Sequence, residues 1–445
     1  MEHVIIIGNG ISGVTAARHI RKMSDKRITI ISSESEHFFS RTALMYVYMG
    51  HMKFEHTKPY ENWFWKKNKI DLLHAHVDKI DFRNQNISCN DGKTLAYDTL
   101  ILALGSKPNK FGWPGQDLQG VQGLYSKQDL ELMEKNTRNS ESAVIVGGGL
   151  IGVEMAEMLH SRKKNVTFLV RENLFWSNVL PEKESKIISD HIRENGIELM
   201  FNEELEIITS NDGKRCSGVK TKSGKDIKCD FLGLTVGVSP NIEFLRGSDL
   251  NTDRGIIVNN NFETNIKNVY AIGDCAELKD PPVGRSNIEQ VWYTGRMHGE
   301  VVADNICSKK REYLPGPWFN SAKFFDIEYQ TYGRVKPKYS ENEKGIYWED
   351  DDHKKCIHIV YDKNTEEVIG INLLGIRHRH EVWNKWISNK TKIRTVLQSL
   401  DKANFDPEFY KRNESFLLKV WNEENPDKIL EISQKNQFLE LIGLK

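Results

Sequence analysis

The stretch Val4-Ile5-Ile6-Ile7-Gly8-Asn9-Gly10-Ile11-Ser12-Gly13 decides how this chain folds. An unbroken apolar run stops at three glycines spaced G-x-G-x-x-G and gives way to apolar residues at helical spacing. The pattern predicts a strand, a tight turn and a helix. Gly8 allows the sharp turn, Gly10 leaves room for a pyrophosphate, and Gly13 lets the helix pack closely on the strand. The pyrophosphate would lie at the helix N-terminus, where unpaired backbone N–H groups face it.

A second apolar run, Ile28-Thr29-Ile30-Ile31, follows this helix and ends shortly before Glu34. A carboxylate at the end of that strand, about 20 residues past the glycines, is placed to accept hydrogen bonds from ribose hydroxyls. The glycine pattern alone is a weak signal. Between two strands, and followed by an acid at this distance, it predicts a dinucleotide-binding βαβ unit.

The same pattern occurs again at Gly147, Gly149 and Gly152, with an apolar run before it and a predicted helix and strand behind it. Two copies of one supersecondary unit imply two dinucleotide sites. Arg171 and Glu172 follow the second strand of this copy. They offer a guanidinium to a ribose 2′-phosphate and a carboxylate to a 2′-OH, so the choice between NAD and NADP stays open.

Composition indicates a soluble globular protein of two or three domains. The chain has 445 residues, of which 39% are hydrophobic and 28% charged, and 62 basic residues balance 62 acidic ones. This balance argues against a nucleic-acid or membrane-surface partner. No apolar run approaches the ~20 residues of a membrane span, and a core strand lies where a cleavable signal would be, so we expect a cytoplasmic protein.

The six cysteines are far apart in sequence, and no C-x-x-C pair occurs. We therefore expect buried, reduced thiols, with neither a zinc site nor a local redox pair encoded. The histidine pairs at 51/56, 74/76 and 378/380 lack a third ligand at metal-binding spacing, so solvated or core histidines are expected and no metal site is predicted.

The rest of the chain predicts an NAD(P)-binding domain at residues 113–241 inserted in an FAD-type domain at residues 1–112 and 242–316. Between residues 286 and 289, Ser-Asn-Ile-Glu resembles a capping box and predicts a helix starting near Asn287. Residues 70–77 are predicted to form a strand of the first domain. Residues 317–445 read as strands at 322–332, 345–348, 356–361 and 368–374, followed by helices at 381–387, 393–400 and 414–421, which predicts an α+β domain. Its aromatic side chains are expected in the domain core, with a homodimer interface as the alternative: Trp383, Trp386, Phe405, Phe409 and Tyr410.

Taken in order, five motifs resemble the pyridine nucleotide-disulfide oxidoreductase family. They are G-x-G-x-x-G, Ala-x-Gly-Ser-x-Pro at 103–108, the second G-x-G-x-x-G, Gly-Val-x-Pro-Asn at 237–241 and Tyr-Ala-Ile-Gly-Asp at 270–274. The branch resembled holds ferredoxin reductases and enzymes like NAD(P)H nitrite reductase and NADH oxidase. The resemblance implies the following FAD- or nucleotide-binding residues: Gly8, Gly10, Ser12, Gly13, Glu34, Arg41, Val77, Ala103, Leu104, Gly105, Gly147, Gly149, Ile151, Gly152, Arg171, Glu172, Gly237, Gly273 and Asp274.

The chain departs from this family beside the expected flavin. Where the disulfide and peroxidase branches carry a redox cysteine this sequence has Thr42, and Met45 replaces the family's proline. Disulfide and sulfenic-acid chemistry are therefore disfavoured there. Tyr46 lies about where ferredoxin reductases have a lysine, so Glu154, which matches a family glutamate near the nicotinamide, would lack that partner. Thr42, Tyr46 and Glu154 are the candidate catalytic residues.

These observations favour an FAD-dependent NAD(P)H oxidoreductase that delivers electrons to a ferredoxin- or rubredoxin-type protein or to a small molecule. One alternative is an NAD(P)H oxidase that uses dioxygen. The other is a flavin-bearing binding protein in which reduction changes partner docking, since fold alone does not fix function.

Overall fold

The structure is a computed structural model, and it describes residues 1–406, 408 and 412–431. Its strands, in chain order, are β1 His3–Ile7, β2 Arg27–Ser32, β3 Ile70–His74, β4 Val77–Asp81, β5 Asn86–Cys89, β6 Thr94–Ala96, β7 Thr99–Leu102, β8 Ser106–Pro108, β9 Val121–Gln122, β10 Ser142–Val146, β11 Asn165–Val170, β12 Glu198–Phe201, β13 Leu205–Thr209, β14 Gly218–Thr221, β15 Asp226–Lys228, β16 Phe231–Leu234, β17 Val238–Pro240, β18 Ile256–Val258, β19 Val269–Ala271, β20 Ala276–Leu278, β21 Phe319–Phe324, β22 Ile327–Gly333, β23 Glu343–Glu349, β24 Cys356–Asp362 and β25 Val368–Leu374.

Helices alternate with the parallel strands in the first part of the chain and follow the antiparallel strands in the last part. The α-helices are α1 Ile11–Met23, α2 Leu44–Tyr48, α3 Asn62–Lys67, α4 Lys127–Thr137, α5 Leu150–Ser161, α6 Glu182–Glu194, α7 Trp292–Ile306, α8 His380–Ser388, α9 Ile393–Gln398 and α10 Glu414–Glu424. Short 3₁₀ helices lie at Arg41–Ala43, Phe54–Thr57, Glu243–Leu245, Gly273–Cys275, Leu400–Ala403 and Pro426–Lys428. None of the described helices is long and apolar enough to cross a membrane.

The described residues divide into two compact units. The first comprises Met1–Gly147, Met158–Val166 and Leu205–Pro315. The second comprises Gly148–Glu157, Thr167–Glu204 and the residues from Gly316 onward. The division into an FAD domain, an inserted NAD(P) domain and a C-terminal domain stays a prediction.

The first unit is built on a parallel sheet of strand order β19-β7-β1-β2-β3. All five residues of β1 are buried, as expected for a central parallel strand covered on both faces. Helix α1 packs closely on α7 at Gly299. A Cβ on Gly299 would lie 2.5 Å from the Ser12 carbonyl oxygen, so the absence of a side chain allows this approach. Strands β10, β16 and β9 of the same unit also pair in parallel. The predicted α/β class with Rossmann-like parallel sheets is confirmed.

The second unit contains the parallel pair β11–β12 and an antiparallel sheet of order β21-β22-β25-β24-β23. Trp383 of α8 and Trp421 of α10 are fully buried in the core against this sheet. Strands therefore precede helices here, as the α+β prediction requires. Phe405 is exposed, Trp386 packs edge-on to Trp383, and Phe409 and Tyr410 lie outside the described residues.

Three sequence predictions of element bounds are wrong. Residues 322–332 form the hairpin β21–β22 rather than one strand, with Phe325 in the left-handed region at φ 56°. The strand expected at 70–77 ends at His74, and Val77 opens β4 with its side chain in the core. The helix expected near Asn287 begins at Trp292, because the Glu289 carboxylate binds Arg285 instead of capping a helix.

Candidate dinucleotide-binding site

The first glycine turn has the geometry that the sequence pattern predicts. Gly8 has φ 111°, and a Cβ there would lie 2.0 Å from the Ala103 carbonyl oxygen, which follows β7. A Cβ on Gly13 would lie 2.1 Å from the Gly8 carbonyl oxygen. At Gly10, by contrast, an added Cβ would meet no described residue beyond its chain neighbours within 4 Å. Two glycines are therefore required by the fold, and the third leaves an open space at the N-terminus of α1.

The second glycine turn repeats this geometry. Gly147 has φ 112°, and a Cβ there would lie 2.6 Å from the Thr235 carbonyl oxygen, which follows β16 as Ala103 follows β7. Gly149 again faces open space. Ile151 and Gly152 lie in the first turn of α5. The internal repeat therefore extends from the sequence to the backbone conformation, and both turns leave room for a diphosphate.

Glu34 and Arg41 are bound to each other. The guanidinium donates to both carboxylate oxygens, at 2.8 and 2.6 Å, and also to the Tyr125 carbonyl oxygen at 2.6 Å. The backbone N–H of Lys127 donates to the same carboxylate at 2.9 Å. Burial opposes the charge of Arg41, but the hydrogen bonds to Glu34 outweigh it and raise the pKa of Arg41. The resemblance implied a nucleotide-binding role for both residues and gave no sign that they bind each other.

Asp274 is a half-buried carboxyl held by two hydroxyl groups. Ser106 Oγ and Tyr125 OH each donate to its Oδ2 at 3.1 Å. Burial raises the pKa of Asp274 above its ordinary value, against the lowering effect of both hydrogen bonds and of Arg41. Gly105 is placed against the same phenol, since a Cβ there would lie 2.8 Å from Tyr125 OH. Asp274, Glu34 and Arg41 therefore belong to one polar network.

The loop that precedes Gly105 crosses the first turn closely. Ala103 is buried and donates its N–H to the Ile7 carbonyl oxygen at 2.8 Å. Leu104 donates its N–H to Cys275 Sγ at 3.4 Å, and burial raises the pKa of that thiol to about 12. Cys275 is thus a buried, protonated thiol, as the sequence analysis expected. Ser12 packs against Gly273 and Gly295. A Cβ on either glycine would lie 2.4 or 2.6 Å from Ser12 Oγ, respectively.

The two flavin-side candidates Thr42 and Tyr46 occupy a short helical segment. Thr42 is exposed in the 3₁₀ helix Arg41–Ala43, with its Oγ1 3.2 Å from Ser40 Oγ. Tyr46 is half-buried in α2 and stacks on His51. Neither side chain belongs to the network around Asp274 in the contacts of the described residues. Their catalytic assignment stays a prediction.

Glu154 is a half-buried carboxyl on α5. Burial, and then the charge of Glu157 one turn away, raise the pKa of Glu154 to about 7. Glu157 itself binds Lys323 Nζ at 3.0 Å. A carboxyl that titrates near neutrality is suited to proton transfer, which agrees with the candidate role of Glu154.

This pKa predicts a pH-dependent stability that glutamine removes. Below the ordinary pKa of 4.5 the Glu154 carboxyl is protonated in both the folded and the unfolded chain. Between pH 4.5 and about pH 7 only the folded chain keeps this proton, so the free energy of unfolding falls as the pH rises through this range. At about pH 8 we expect the free energy of unfolding of Glu154→Gln to exceed that of the parent by up to ~3 kcal/mol. At about pH 4 the two proteins should be equally stable. Urea titrations at both pH values measure this. An equal difference at both would contradict the assignment.

The remaining predicted residues lie at strand ends. Arg171 and Glu172 follow β11 and bind each other, with Arg171 Nε 3.0 Å from Glu172 Oε1. Gly237, at φ 90°, precedes β17, which pairs with β8 across Ser106. Sequence reasoning missed Tyr125 as a site residue, since it lies in no motif. Ser106 stood in the Ala-x-Gly-Ser-x-Pro motif, so its position was a usable signal.

Residues present in the first unit fit an FAD pyrophosphate and ribityl chain. The open space at Gly10 adjoins the N-terminus of α1, where backbone N–H groups face outward. No group of three His, Cys, Asp or Glu residues that could hold a metal ion occurs in the part of the chain that the structure describes. Two glycine turns of this kind beside parallel strands are typical of the class of proteins that bind two dinucleotides.

Comparison with known proteins places the chain in a family. The family model described as pyridine nucleotide-disulphide oxidoreductase matches residues 2–299, so the chain belongs to this family. This confirms the resemblance drawn from the five motifs.

Individual relatives differ in the activity that their names give. The chain is 31% identical over 341 residues to an NADH oxidase of Methanocaldococcus jannaschii, covering 73% of this chain and 74% of that one. It is 28% identical over 309 residues to a rubredoxin-NAD(+) reductase of Ectopseudomonas oleovorans, covering 68% and 80%. The fold resembles a NAD-dependent persulfide reductase from A. fulgidus, with TM-score 0.83 and 22% identity over 97% of this chain and 86% of that chain.

The chain spans about half the length of another relative. It is 25% identical over 385 residues, 84% of this chain, to the assimilatory nitrate reductase electron transfer subunit of Bacillus subtilis, of which it covers 48%.

Proposed function

We propose that this chain oxidises NADH or NADPH with FAD as its resident cofactor and passes the electrons to a small redox protein of the ferredoxin or rubredoxin type. The observation that carries the proposal is the duplicated glycine turn. Gly8 and Gly147 share one backbone conformation, and Gly10 and Gly149 each face open space. Two diphosphate cradles in one chain suit a flavin dinucleotide and a pyridine dinucleotide.

The chain's own residues would hold and orient these nucleotides. Backbone N–H groups at the start of α1 would bind the FAD pyrophosphate beside Gly10. Asp274 would accept a hydrogen bond from a ribityl hydroxyl, and the hydrogen bonds from Ser106 and Tyr125 would hold its carboxylate in position. The Gly147–Gly152 turn would bind the NAD(P) diphosphate. FAD, when bound, supplies the ring that accepts hydride and releases electrons. With Thr42 in the place of a redox cysteine, no thiol beside the flavin is proposed as an electron carrier.

Two relatives support the redox-protein acceptor over others. The rubredoxin-NAD(+) reductase and the nitrate reductase electron transfer subunit both hand electrons onward, by their names. The second candidate is an NAD(P)H oxidase that reduces dioxygen, and the NADH oxidase relative, at 31% identity, favours it. A homodimer through the C-terminal residues remains part of the proposal, as does the three-domain division.

An anaerobic titration tests the proposal. We expect the FAD-loaded protein to lose its yellow absorbance when NADH or NADPH is added, and the reduced protein to regain it faster with ferredoxin or rubredoxin than with dioxygen. Stopped-flow comparison of the two nucleotides would decide between NAD and NADP. A protein that takes up no FAD would end the proposal, and reoxidation by dioxygen alone would establish the oxidase instead.

A further inference from the structure

Two cysteines that are separate in sequence lie side by side in the first unit. Cys216 Sγ and Cys229 Sγ are 3.7 Å apart, and the two residues are 3% and 2% exposed. The absence of C-x-x-C spacing predicted that no local redox pair is encoded. The spacing gave no sign of this contact, which strand pairing creates.

The antiparallel strands β14 and β15 explain this proximity. Gly218 pairs with Lys228 in the ladder, and the N–H of Cys229 donates to the Ser217 carbonyl oxygen at 3.4 Å. Cys216 and Cys229 therefore lie at the open end of the hairpin, just beyond its last regular pair. The backbone N–H of Cys216 is in turn held by the Gln119 carbonyl oxygen at 2.9 Å. The pair is part of a fixed backbone frame.

The environment of the two thiols is asymmetric. A hydrogen bond from Cys229 lowers the pKa of Cys216, and the nearby positive charge of Arg215 acts in the same direction. The same contact, together with burial, raises the pKa of Cys229. The two thiols titrate as one pair, so either sulfur can act as the nucleophile, and the other lies next to it as the group that would resolve an oxidised sulfur.

We propose that Cys216 and Cys229 form a dithiol site that a peroxide converts to an intramolecular disulfide. One thiolate of the pair attacks one oxygen of hydrogen peroxide, the O–O bond breaks, and the departing hydroxide takes a proton to become water. The other sulfur then attacks the sulfenic acid sulfur, and a second water leaves as the S–S bond forms. Overall two thiols lose two electrons and two protons, and one peroxide becomes two waters.

Burial sets the character of this site. Two sulfurs at 3.7 Å need to move closer by less than about 2 Å to reach the ~2.05 Å of a disulfide bond. Because both thiols are almost fully buried, small neutral peroxide is the oxidant that fits, and bulky alkylating reagents should react slowly with the folded protein. The Cys216–Cys229 pair lies at a different position from the family's redox cysteine beside the flavin, where this chain has Thr42.

Mass spectrometry of the full chain tests the site. The protein is treated with hydrogen peroxide, its remaining thiols are trapped with N-ethylmaleimide in denaturant, and peptides are mapped without reduction. We expect the treated chain to carry four maleimide labels where the untreated chain carries six, a linked peptide pair containing Cys216 and Cys229, and full reversal by dithiothreitol. Cys216→Ser and Cys229→Ser should each keep all five of their labels after peroxide treatment.

Cys307→Ser is the matched control, because Cys307 is the only one of the six cysteines that is half-buried, and its removal should leave the link intact. Peptide mapping of the unsubstituted protein keeps the test valid if a variant folds poorly. Labelling of both Cys216 and Cys229 after peroxide treatment, or a disulfide that joins any other pair, would overturn the proposal.

Discussion

Gly13→Ala is expected to prevent stable folding, whereas Gly10→Ala is expected to fold and to lose FAD. A Cβ at Gly13 would lie 2.1 Å from the Gly8 carbonyl oxygen, a backbone atom that cannot move without disrupting the turn. Overpacking of this kind should lower the free energy of unfolding by at least about 3 kcal/mol. Gly10 lies at φ −70° and ψ −177°, which alanine adopts freely, so its substitution should change stability by less than about 1 kcal/mol.

Gly10→Ala should weaken FAD binding although it leaves the protein stable. A methyl group at Gly10 would fill the space in front of α1, where the pyrophosphate is proposed to lie, so we expect the dissociation constant for FAD to rise at least about tenfold, or ~1.4 kcal/mol. Gly149→Ala is the matched control in the second turn, where the space is equally open. It should retain FAD and weaken NAD(P)H binding. Urea unfolding and fluorescence titration with FAD measure both properties.

A Gly10→Ala protein that binds FAD as tightly as the parent would remove the first cradle from the proposal. Loss of FAD in Gly149→Ala, with NAD(P)H binding unchanged, would mean that the two cradles are assigned in the wrong order.

Glu289→Gln is expected to be strongly destabilising. The Arg285 guanidinium donates two hydrogen bonds of 2.6 Å to the Glu289 carboxylate, and the side chains are only 2% and 4% exposed. Thr294 Oγ1 donates to the same carboxylate at 3.1 Å. The substitution would remove the negative charge that faces a buried guanidinium, which should lower the free energy of unfolding by about 3–5 kcal/mol.

The chain offers a matched control on α7. Arg296 and Glu300 have the same i,i+4 spacing, at 3.1 Å, but their side chains are 58% and 22% exposed. Glu300→Gln should change stability by less than about 0.5 kcal/mol, because solvent screens an exposed pair. In urea, the double variant Arg285→Met/Glu289→Leu should regain most of the loss of Glu289→Gln. Equal effects of Glu289→Gln and Glu300→Gln would show that burial does not set the strength of the Arg285 pair.

The same ion pair explains one failure of sequence reasoning. Ser286 and Glu289 have capping-box spacing, yet α7 begins at Trp292. The local pattern offers Glu289 a backbone partner, whereas the folded core offers it a guanidinium that donates to both carboxylate oxygens. Burial of the ion pair therefore outweighs the capping signal, because separating two buried opposite charges is more costly than leaving a helix end uncapped.

Elements with strong local signals were predicted well. The C-terminal strands and helices match the sequence periodicity closely, and the hairpin turn at Phe325 was missed, since phenylalanine is an unusual residue for positive φ. The site divides in the same way. Its glycines and Asp274 lie in motifs, whereas Tyr125, which binds Asp274 from 149 residues away, carries no motif.

By itself the sequence determined the two glycine turns. Only glycine fits at Gly8 and Gly147, because φ is positive there and an added Cβ would lie 2.0–2.6 Å from a carbonyl oxygen. Both constraints act within a few residues of a strand end. Only the tertiary structure decided which polar and sulfur groups are buried together: Arg41 with Glu34 and the Tyr125 carbonyl oxygen, Arg285 with its i,i+4 neighbour Glu289 in the core, and Cys216 with Cys229. Such pairings depend on burial and strand register, since a group removed from water takes whichever partner the packed chain brings within reach.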